Sequence, residues 1–284
     1  GPLAYGADHG WETVVAVQNL DLAQAAKVAV LFVDGRGTVI ARHVDWICAG
    51  GGRRFVLPLA GTGSGHRVGS AHALSQEVDA GGSIQPPRPI AASVEGYRYA
   101  RPADPASLEA AFAYDMVPAA RAEGVGRLAF PMMSKRGDAG VPGVETSTEL
   151  TIANVVADPG STDVALYFFD QTGLIDYVCM ALGPGMTESI DLASWGFVNP
   201  GFVGSGLVSA VHWTHQNGAR MGLAGAMALR EGADVGQDAP GDDLAAVSAW
   251  PLTAPLPMDL GLPTCPHLGG PLATVTPAAA GGRP

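Results

Sequence analysis

The stretch Lys27-Val-Ala-Val-Leu-Phe-Val-Asp34 recurs 136 residues later as Asp163-Val-Ala-Leu-Tyr-Phe-Phe-Asp170, and this repetition decides the fold. Apolar side chains alternate with period two in both copies, which predicts strands with one buried face. The side chains predicted to point inward are Val28, Val30, Phe32, Val164, Leu166 and Phe168. Each copy ends in Asp-x-x-Gly, where Asp bonds its own backbone and Gly accepts a positive φ, so a hairpin turn should follow.

The repetition extends on both sides of this hairpin. Thr13-Val-Val-Ala-Val-Gln-Asn19 matches Thr148-Glu-Leu-Thr-Ile-Ala-Asn154, and Val68-Gly-Ser70 matches Val203-Gly-Ser205, both at an offset of 135 residues. Further strands are predicted at Val39–Trp46, Leu174–Met180, Pro89–Arg98 and Met221–Arg230. Six strands per copy, joined by Gly- and Pro-rich turns, are typical of a β-sandwich.

The predicted fold is therefore all-β, with two tandem β-sandwich domains of one repeat at residues 1–100 and 129–232. A short helix is predicted in the linker, residues 101–128, because Asp104 suits an N-cap and Pro105 suits the first turn. The side chains expected to form its apolar stripe are Leu108, Ala111 and Phe112. Residues 233–284 are predicted to form an acidic loop followed by an extended C-terminal arm.

A similar three-residue sequence stands at the start of each unit: Gly1-Pro-Leu3, Phe130-Pro-Met132 and Trp250-Pro-Leu252. The third unit begins like the others and then becomes dense in proline, which predicts an extended arm rather than a central strand. Such an arm could add to the edge of a neighbouring copy. The residues predicted to make that contact are Trp250, Leu252, Leu256, Leu260, Leu272 and Val275.

Composition excludes two classes of partner. The formal net charge is −11, so the surface should repel a phosphate backbone, and we expect no nucleic-acid partner. The longest apolar run, Val164–Phe169, is far too short for a membrane span. Hydrophobic residues make up 47% of the chain and charged residues only 15%, which suits a protein that contacts copies of itself.

The repeated pattern resembles the tandem Ig-like or sandwich modules of bacterial secreted and cell-surface proteins. The residues that carry the resemblance are the Pro-apolar start, the strand ending in Gln18-Asn19 or Ala153-Asn154, the apolar-Asp-x-x-Gly hairpin and Val-Gly-Ser. The resemblance implies an extracellular spacer, adhesin, surface-layer or fibre subunit. It implies no catalytic residue, because such modules share no active site.

Three cysteines, Cys48, Cys179 and Cys265, leave one unpaired if two form a bond. In an exported protein they could form a bridge between the tail and a domain or a bond between subunits. Alternatively, Cys48 and Cys179, which both lie at the end of the strand after the hairpin, are small buried hydrophobic residues. The sequence leaves these alternatives open.

Other candidate sites fit ordinary structure better than chemistry, so we predict no catalytic residue, no metal site and no cofactor. His212 and His215 would point to opposite faces of a strand, and the loop Gly61–His66 lacks the ending of a phosphate-binding loop. The acidic stretch Glu231–Asp243 could bind Ca²⁺ weakly, but its spacing does not match the EF-hand pattern. Five scattered tryptophans suggest core packing rather than a platform for glycans.

The sequence thus predicts a secreted structural protein that is not an enzyme. Its expected role is that of a self-associating subunit of an extracellular filament or surface layer, assembled through the arm. The alternative is an adhesin or carbohydrate-binding module, which would have a glycan as its partner. A hydrolase with dispersed catalytic residues is the third class, which a deep pocket holding Ser, His and a carboxylate would favour.

Overall fold

A computed structural model gives the fold of the chain. It describes residues 2–5, 11–57, 67–75, 87–99, 108–116, 125–138, 145–155, 162–213, 222–231, 245–252, 262–263 and 265. These residues form strands and no helix, so the prediction of an all-β fold is confirmed. No helix with the length and apolar character of a membrane span occurs in this part of the chain.

Eight strands belong to the first repeat: β1 Pro2–Tyr5, β2 Trp11–Asn19, β3 Ala26–Asp34, β4 Val39–Ile47, β5 Gly52–Val56, β6 Arg67–Ser75, β7 Ile90–Tyr99 and β8 Leu108–Asp115. They form two antiparallel four-stranded sheets, in the orders β1-β6-β3-β4 and β5-β2-β7-β8. Side chains of both sheets share one hydrophobic cluster, which contains Val28, Val30 and Phe32 from β3 and Val15 and Val17 from β2.

Nine strands follow: β9 Arg127–Asp138, β10 Glu145–Asn154, β11 Thr162–Asp170, β12 Gly173–Leu182, β13 Thr187–Asp191, β14 Phe202–Trp213, β15 Leu223–Glu231, β16 Ala245–Ser248 and β17 Trp250–Pro251. They form one sheet, because β9 pairs with β14 along most of its length and with β10 at its end. The backbone of β9 has a positive φ at Arg136, where its pairing changes from one strand to the other.

The strand orders of the two repeats correspond. In the second repeat, β9-β14-β11-β12 follows the order of β1-β6-β3-β4, and β13-β10-β15-β16 follows the order of β5-β2-β7-β8. The predicted inward side chains Val164, Leu166 and Phe168 are fully buried, as are their counterparts in β3. The residues that repeat in the sequence therefore take equivalent places in the two repeats.

The helix predicted in the linker is wrong for the part that the structure describes. Leu108, Ala111 and Phe112 lie in β8, which pairs with β7 and places Phe112 opposite Gly96. The open edge of β7 offers backbone hydrogen bonds to β8 and allows Tyr114 to be buried. The free energy of these tertiary contacts outweighs the weak helical preference of the segment. Asp104 and Pro105 lie outside the described residues.

The two repeats contact each other directly. The backbone amide of Thr187 donates to the carbonyl of Gly35 at 3.1 Å, and the hydroxyl of Ser248 donates to the carbonyl of Asp115 at 2.9 Å. Ala226, on β15, joins the hydrophobic cluster of the first repeat. The second repeat thus closes part of the first repeat's core.

Candidate interaction site

The first surface of interest is the outer face of the sheet β9-β14-β11-β12. Its side chains form a small hydrophobic cluster that is separate from the core beneath it. We call it the covered face, and it consists of Ala165, Tyr167, Phe169, Leu174, Tyr177, Cys179 and Leu207. Strand register explains the grouping, since Cys179 and Tyr177 lie opposite Ala165 and Tyr167 and so point to the same side.

The C-terminal segment lies on the covered face. Leu252, Leu262 and Cys265 pack in the same cluster, and the amide of Leu252 donates to the carbonyl of Arg127 at 3.0 Å. The phenol of Tyr167 donates to the carbonyl of Pro263 at 2.8 Å. The burial that this cover imposes raises the pKa of Tyr167, which keeps the phenol protonated as a donor.

The predicted arm therefore begins as part of its own chain's fold. Trp250 and Pro251 pair with Ala129 and Leu128 of β9, and Trp250 keeps its side chain exposed. β16, which precedes them, also belongs to the second repeat rather than to a loop. The other residues of the predicted arm contact, Leu256, Leu260, Leu272 and Val275, lie outside the described residues.

A disulfide between Cys179 and Cys265 ties this segment to the covered face, and Cys48 is a free, exposed thiol. Cys48 and Cys179 do not occupy corresponding positions in the two repeats. Cys179 lies opposite Ala165, whereas the residue opposite the corresponding Ala29 is Val44. Cys48 comes after β4, four positions beyond that place.

The corresponding outer face of the first repeat is exposed along β4 and at Leu74, whereas Ala29, Val33 and Ser70 on the same face are buried. Register places its members on one side of the sheet β1-β6-β3-β4, and we call this surface the open face: Lys27, Ala29, Leu31, Val33, Val39, Arg42, Val44, Trp46, Ser70, His72 and Leu74. Four large apolar side chains here are substantially accessible to solvent: Val39 by 51%, Val44 by 40%, Trp46 by 54% and Leu74 by 39%. The two repeats thus differ in the cover on equivalent sheets.

The charge of the open face comes from two cations. The ammonium group of Lys27 lies 6.0 Å from the centroid of the Trp46 ring, a cation–π arrangement. The second cation is Arg42, which lies opposite Leu31. His72, whose ring nitrogen is 3.1 Å from the hydroxyl of Ser70, has its pKa lowered to about 4 by burial and is uncharged at neutral pH. No carboxylate occurs among the side chains that define the face.

An open groove of about 510 Å³ lies on the other sheet of the first repeat, above Ala16, Ala91, Ser93 and neighbouring residues. Beside it, the Arg54 guanidinium contacts the Glu95 carboxylate at 2.5 Å and the Tyr97 phenol at 2.8 Å. The Tyr97 phenol itself donates to Glu95, and this hydrogen bond raises its pKa. These polar groups satisfy one another on the surface.

The structure gives limited information on the other candidate sites. Ser205 lies in β14, and His212 lies in the same strand without a described side chain. The loop Gly61–His66, His215 and the acidic residues Asp234 to Asp243 lie outside the described residues. Within the described ranges, no group of three or more His, Cys, Asp or Glu side chains is arranged to hold a metal ion.

Sequence reasoning missed the open face. The apolar residues Val39, Val44 and Trp46 do not keep a regular alternation along β4. The register of β4 shifts opposite Phe32 and Val33, which breaks the period of two. The signal that could have found it was the comparison of repeats, because Ala29, Leu31 and Val33 match Ala165, Tyr167 and Phe169. Both outer faces are apolar, and the described C-terminal segment packs on only one of them.

Comparisons with known proteins assign no family. No family model matches the chain, and no curated protein matches it. A solved structure from Thermotoga maritima, titled as its protein 1070, is similar over 46% of this chain and 97% of its own, with 13% identity and a TM-score of 0.31. The CupB6 tip adhesin from Pseudomonas aeruginosa aligns over 88% of this chain and 90% of its own, with 13% identity and a TM-score of 0.15. Neither likeness is close enough to assign a fold or a function.

Proposed function

We propose that this chain is an exported structural protein that associates with copies of itself and consists of two tandem β-sandwich repeats. The observation that carries the proposal is the open face, since an equivalent sheet in the second repeat has its apolar side chains covered. Soluble monomers rarely expose a contiguous apolar patch of large side chains, and such patches mark contact sites. The proposal gives the open face a partner.

The repeat architecture supports a structural role. Two sheets in the first repeat share one hydrophobic cluster, and the corresponding halves of the nine-stranded sheet enclose another. Direct hydrogen bonds and the insertion of Ala226 join the two repeats. Such an arrangement suits a subunit of a larger structure.

The disulfide supports export. Bonds of this kind persist in oxidising environments such as the periplasm or the cell exterior, and the cytosol keeps thiols reduced. Cys179 and Cys265 join segments that are 86 residues apart in sequence, as expected for a bond that stabilises a finished fold. An extracellular or cell-surface location follows as part of the proposal.

The arm takes a more limited role in this proposal than the sequence alone suggested. Its described residues bind the same chain's second repeat, and the proposal assigns the connector to a neighbouring copy to the stretch beyond Cys265. Leu272 and Val275 belong to that remaining stretch. A variant ending at Cys265 keeps the disulfide and tests the stretch alone.

The experiment compares the full chain with this shortened variant by sedimentation velocity, from about 1 µM to about 1 mM, and by negative-stain electron microscopy. Concentration-dependent oligomers of the full chain are the expected result. If both chains assemble equally, the arm beyond Cys265 is not the connector. A full chain that stays monomeric at every concentration overturns the proposal.

A glycan-binding module is the second candidate, and the exposed ring of Trp46 is the observation that favours it. Flat aromatic faces stack on sugar rings, and Trp46 is more than half exposed. A glycan array probed with the wild type and with Trp46→Ala separates the two functions. If the wild type binds a glycan and Trp46→Ala does not, the result favours the glycan-binding function. If the wild type binds no glycan on the array, the result favours self-association.

A further inference from the structure

Strand β1 covers only part of the edge of β6. It pairs with β6 as far as Ser70, while β6 continues to Ser75 and pairs with β3 on its other side. In the second repeat, β9 pairs with β14 as far as Ser209, the residue equivalent to Leu74. Among the described residues, the backbone of β6 from His72 to Ser75 has no strand on the side that β9 fills in the second repeat. We call this stretch the acceptor edge.

The core beside the acceptor edge is less covered than its counterpart in the second repeat. There, Leu128 and Phe130 of β9 lie over Gly225, since a Cβ added at Gly225 would lie within 3.1 Å of both. Ala226 reaches the core of the first repeat but does not complete its cover. Three side chains of this core are only partly buried, whereas their counterparts are buried: Ala73 for Val208, Ile90 for Leu223 and Met116 for Ala249.

The C-terminal arm repeats the sequence of the strands that pair at these edges. Gly270-Pro-Leu-Ala273 is identical to Gly1-Pro-Leu-Ala4, most of which belongs to β1. Leu268 stands three residues before the proline of this motif, as Leu128 stands three residues before Pro131 in β9. The arm thus combines the sequence that pairs with β6 and a leucine at the spacing that fills the core of the second repeat.

The register of β1 determines where these residues of the arm would lie. β1 is antiparallel to β6 and places its proline opposite Ser70. With Pro271 at that position, Leu268 lies opposite Ala73, which is the place of Leu128 in the second repeat. Residues opposite one another point to the same face of a sheet, so Leu268 would point into the core beside Ala73.

We propose that residues 268–274 of one copy pair with β6 of a neighbouring copy, in place of its β1, and extend along the acceptor edge. This inference rests on the proposed self-association and assigns its donor segment, acceptor strand and register. The exchange replaces the pairs of β1 by equivalent ones and adds those along the acceptor edge. Main-chain hydrogen bonds give such a contact its affinity, and alternate side chains give its specificity. Donor and acceptor are different surfaces, so the contacts propagate from copy to copy instead of closing.

The position of Cys265 places the acceptor in another copy. Cys265 lies on the outer face of the sheet β9-β14-β11-β12. The first repeat contacts the outer face of the other half of the nine-stranded sheet, since Ala226 joins the core of the first repeat and the adjacent Met227 joins that of the second. The two halves pack about 10 Å apart and a further layer lies outside each of them, which puts the first repeat roughly 20 Å from Cys265. The three residues from Cys265 to Leu268 span only about 11 Å.

The first experiment traps the register by cysteine cross-linking. Ala273 takes the place of Ala4, which lies opposite Val68. In a Cys48→Ser background, one variant carries Val68→Cys with a fusion tag and another carries Ala273→Cys. Mixed under mild oxidation, they should form a disulfide-linked pair, because opposite residues on paired strands are close enough for this bond. Non-reducing electrophoresis resolves the mixed pair by size.

The matched control for the acceptor is Val203→Cys in the same background. Val203 is the equivalent residue of β14 and is 40% exposed, but β9 already pairs along its strand. It should form no mixed pair with Ala273→Cys, and a pair formed equally well overturns the register. A dilute chain that carries both Val68→Cys and Ala273→Cys and cross-links within itself overturns the exchange between copies.

The second experiment places charges in the donor segment. Leu268→Glu combined with Leu272→Glu should raise the dissociation constant of the assembly at least about tenfold, as for the loss of central interface residues. Ala278→Glu combined with Ala279→Glu adds the same charge to the arm outside the donor segment and should leave the constant unchanged. Sedimentation velocity measures both, and circular dichroism should show both double variants folded.

The outcomes separate this inference from the proposed function. If the wild type associates and the substitutions at Leu268 and Leu272 have no effect, the donor strand is wrong and self-association stands. If the wild type remains monomeric at every concentration, both fail. If the chain ending at Cys265 loses association while the leucine variant keeps it, the connector lies elsewhere in the arm and this inference fails.

Discussion

Val44 and Cys179 occupy equivalent positions, opposite Ala29 and Ala165 in the two repeats, but Val44 is 40% exposed and Cys179 only 6%. The difference arises from a segment far along the chain. Cys179 bonds to Cys265, and the segment around Cys265 covers the face of the second repeat. Equivalent strands therefore present one covered surface and one that is open along β4.

The disulfide should contribute substantially to stability. Closing an 86-residue separation restricts the unfolded chain and contributes about 3 to 5 kcal/mol in entropy-based estimates. A dithiol reductant should lower the melting temperature of the wild type and of Cys48→Ser. The double variant Cys179→Ser/Cys265→Ser should melt low with or without reductant. Equal melting of the oxidised and reduced wild type would contradict this contribution.

The glycines of the two Val-Gly-Ser motifs should resist substitution. A Cβ added at Gly204 would overlap the carbonyl oxygen of Phe169, and one added at Gly69 would overlap that of Val33. Ala at Gly204 should therefore lower the free energy of unfolding by about 3 kcal/mol, as expected for a forced backbone shift. Gly196→Ala is the matched control, because nothing lies within 4 Å of its added Cβ. Urea denaturation measures the stability of both variants. Equal midpoints for Gly204→Ala and Gly196→Ala would show that β14 and β11 can move apart without cost.

Asn19 should be needed for its hydrogen bonds rather than for its shape. Its buried amide donates to the carbonyls of Gln24 at 2.7 Å and Cys48 at 3.2 Å, and its oxygen accepts from the amide of Asp21 at 3.0 Å. Asn19→Ala leaves these groups without their partner and should cost about 2 to 4 kcal/mol. Asn199→Ala, at an exposed position, should cost little. Chemical denaturation that finds the two variants equally stable would show that water replaces the amide.

His72 should make the protein less stable in mild acid. Burial lowers its pKa to about 4 from an ordinary value of 6.5, so the fold favours the neutral ring. Above about pH 6.5 both folded and unfolded chains carry the neutral ring and its contribution is constant. Between about pH 6.5 and 4 only the unfolded chain gains the proton, and up to about 3 kcal/mol of stability is lost.

The test of this prediction is the difference between the wild type and His72→Gln in urea midpoints across that pH range. The variant should lose less stability than the wild type as the pH falls, because the other acidic groups are common to both. If the midpoints of the wild type and His72→Gln fall in parallel with pH, His72 has the same pKa in the folded and the unfolded chain.

Several elements could be predicted because they depend on neighbouring residues. Alternation placed Val28, Val30 and Phe32 on a buried face, and Asp34 with Gly37 marked the hairpin that the structure has. The strands β5 and β13 were missed because five residues carry too little pattern. The helix predicted at Leu108 failed because the edge of β7 was available, and pairing with that edge outweighed the helical preference of an Ala-rich sequence.

By itself, the sequence determined the repetition, the all-β class and the inward face of the central strands, because alternation along a strand is a local property. The tertiary structure alone decided which outer face is covered, which cysteines bond and where Trp250 lies. These outcomes depend on contacts between Cys179 and a segment that follows 86 residues later. No local pattern encodes such a contact, because the same apolar face satisfies the strand period whether or not another segment packs on it.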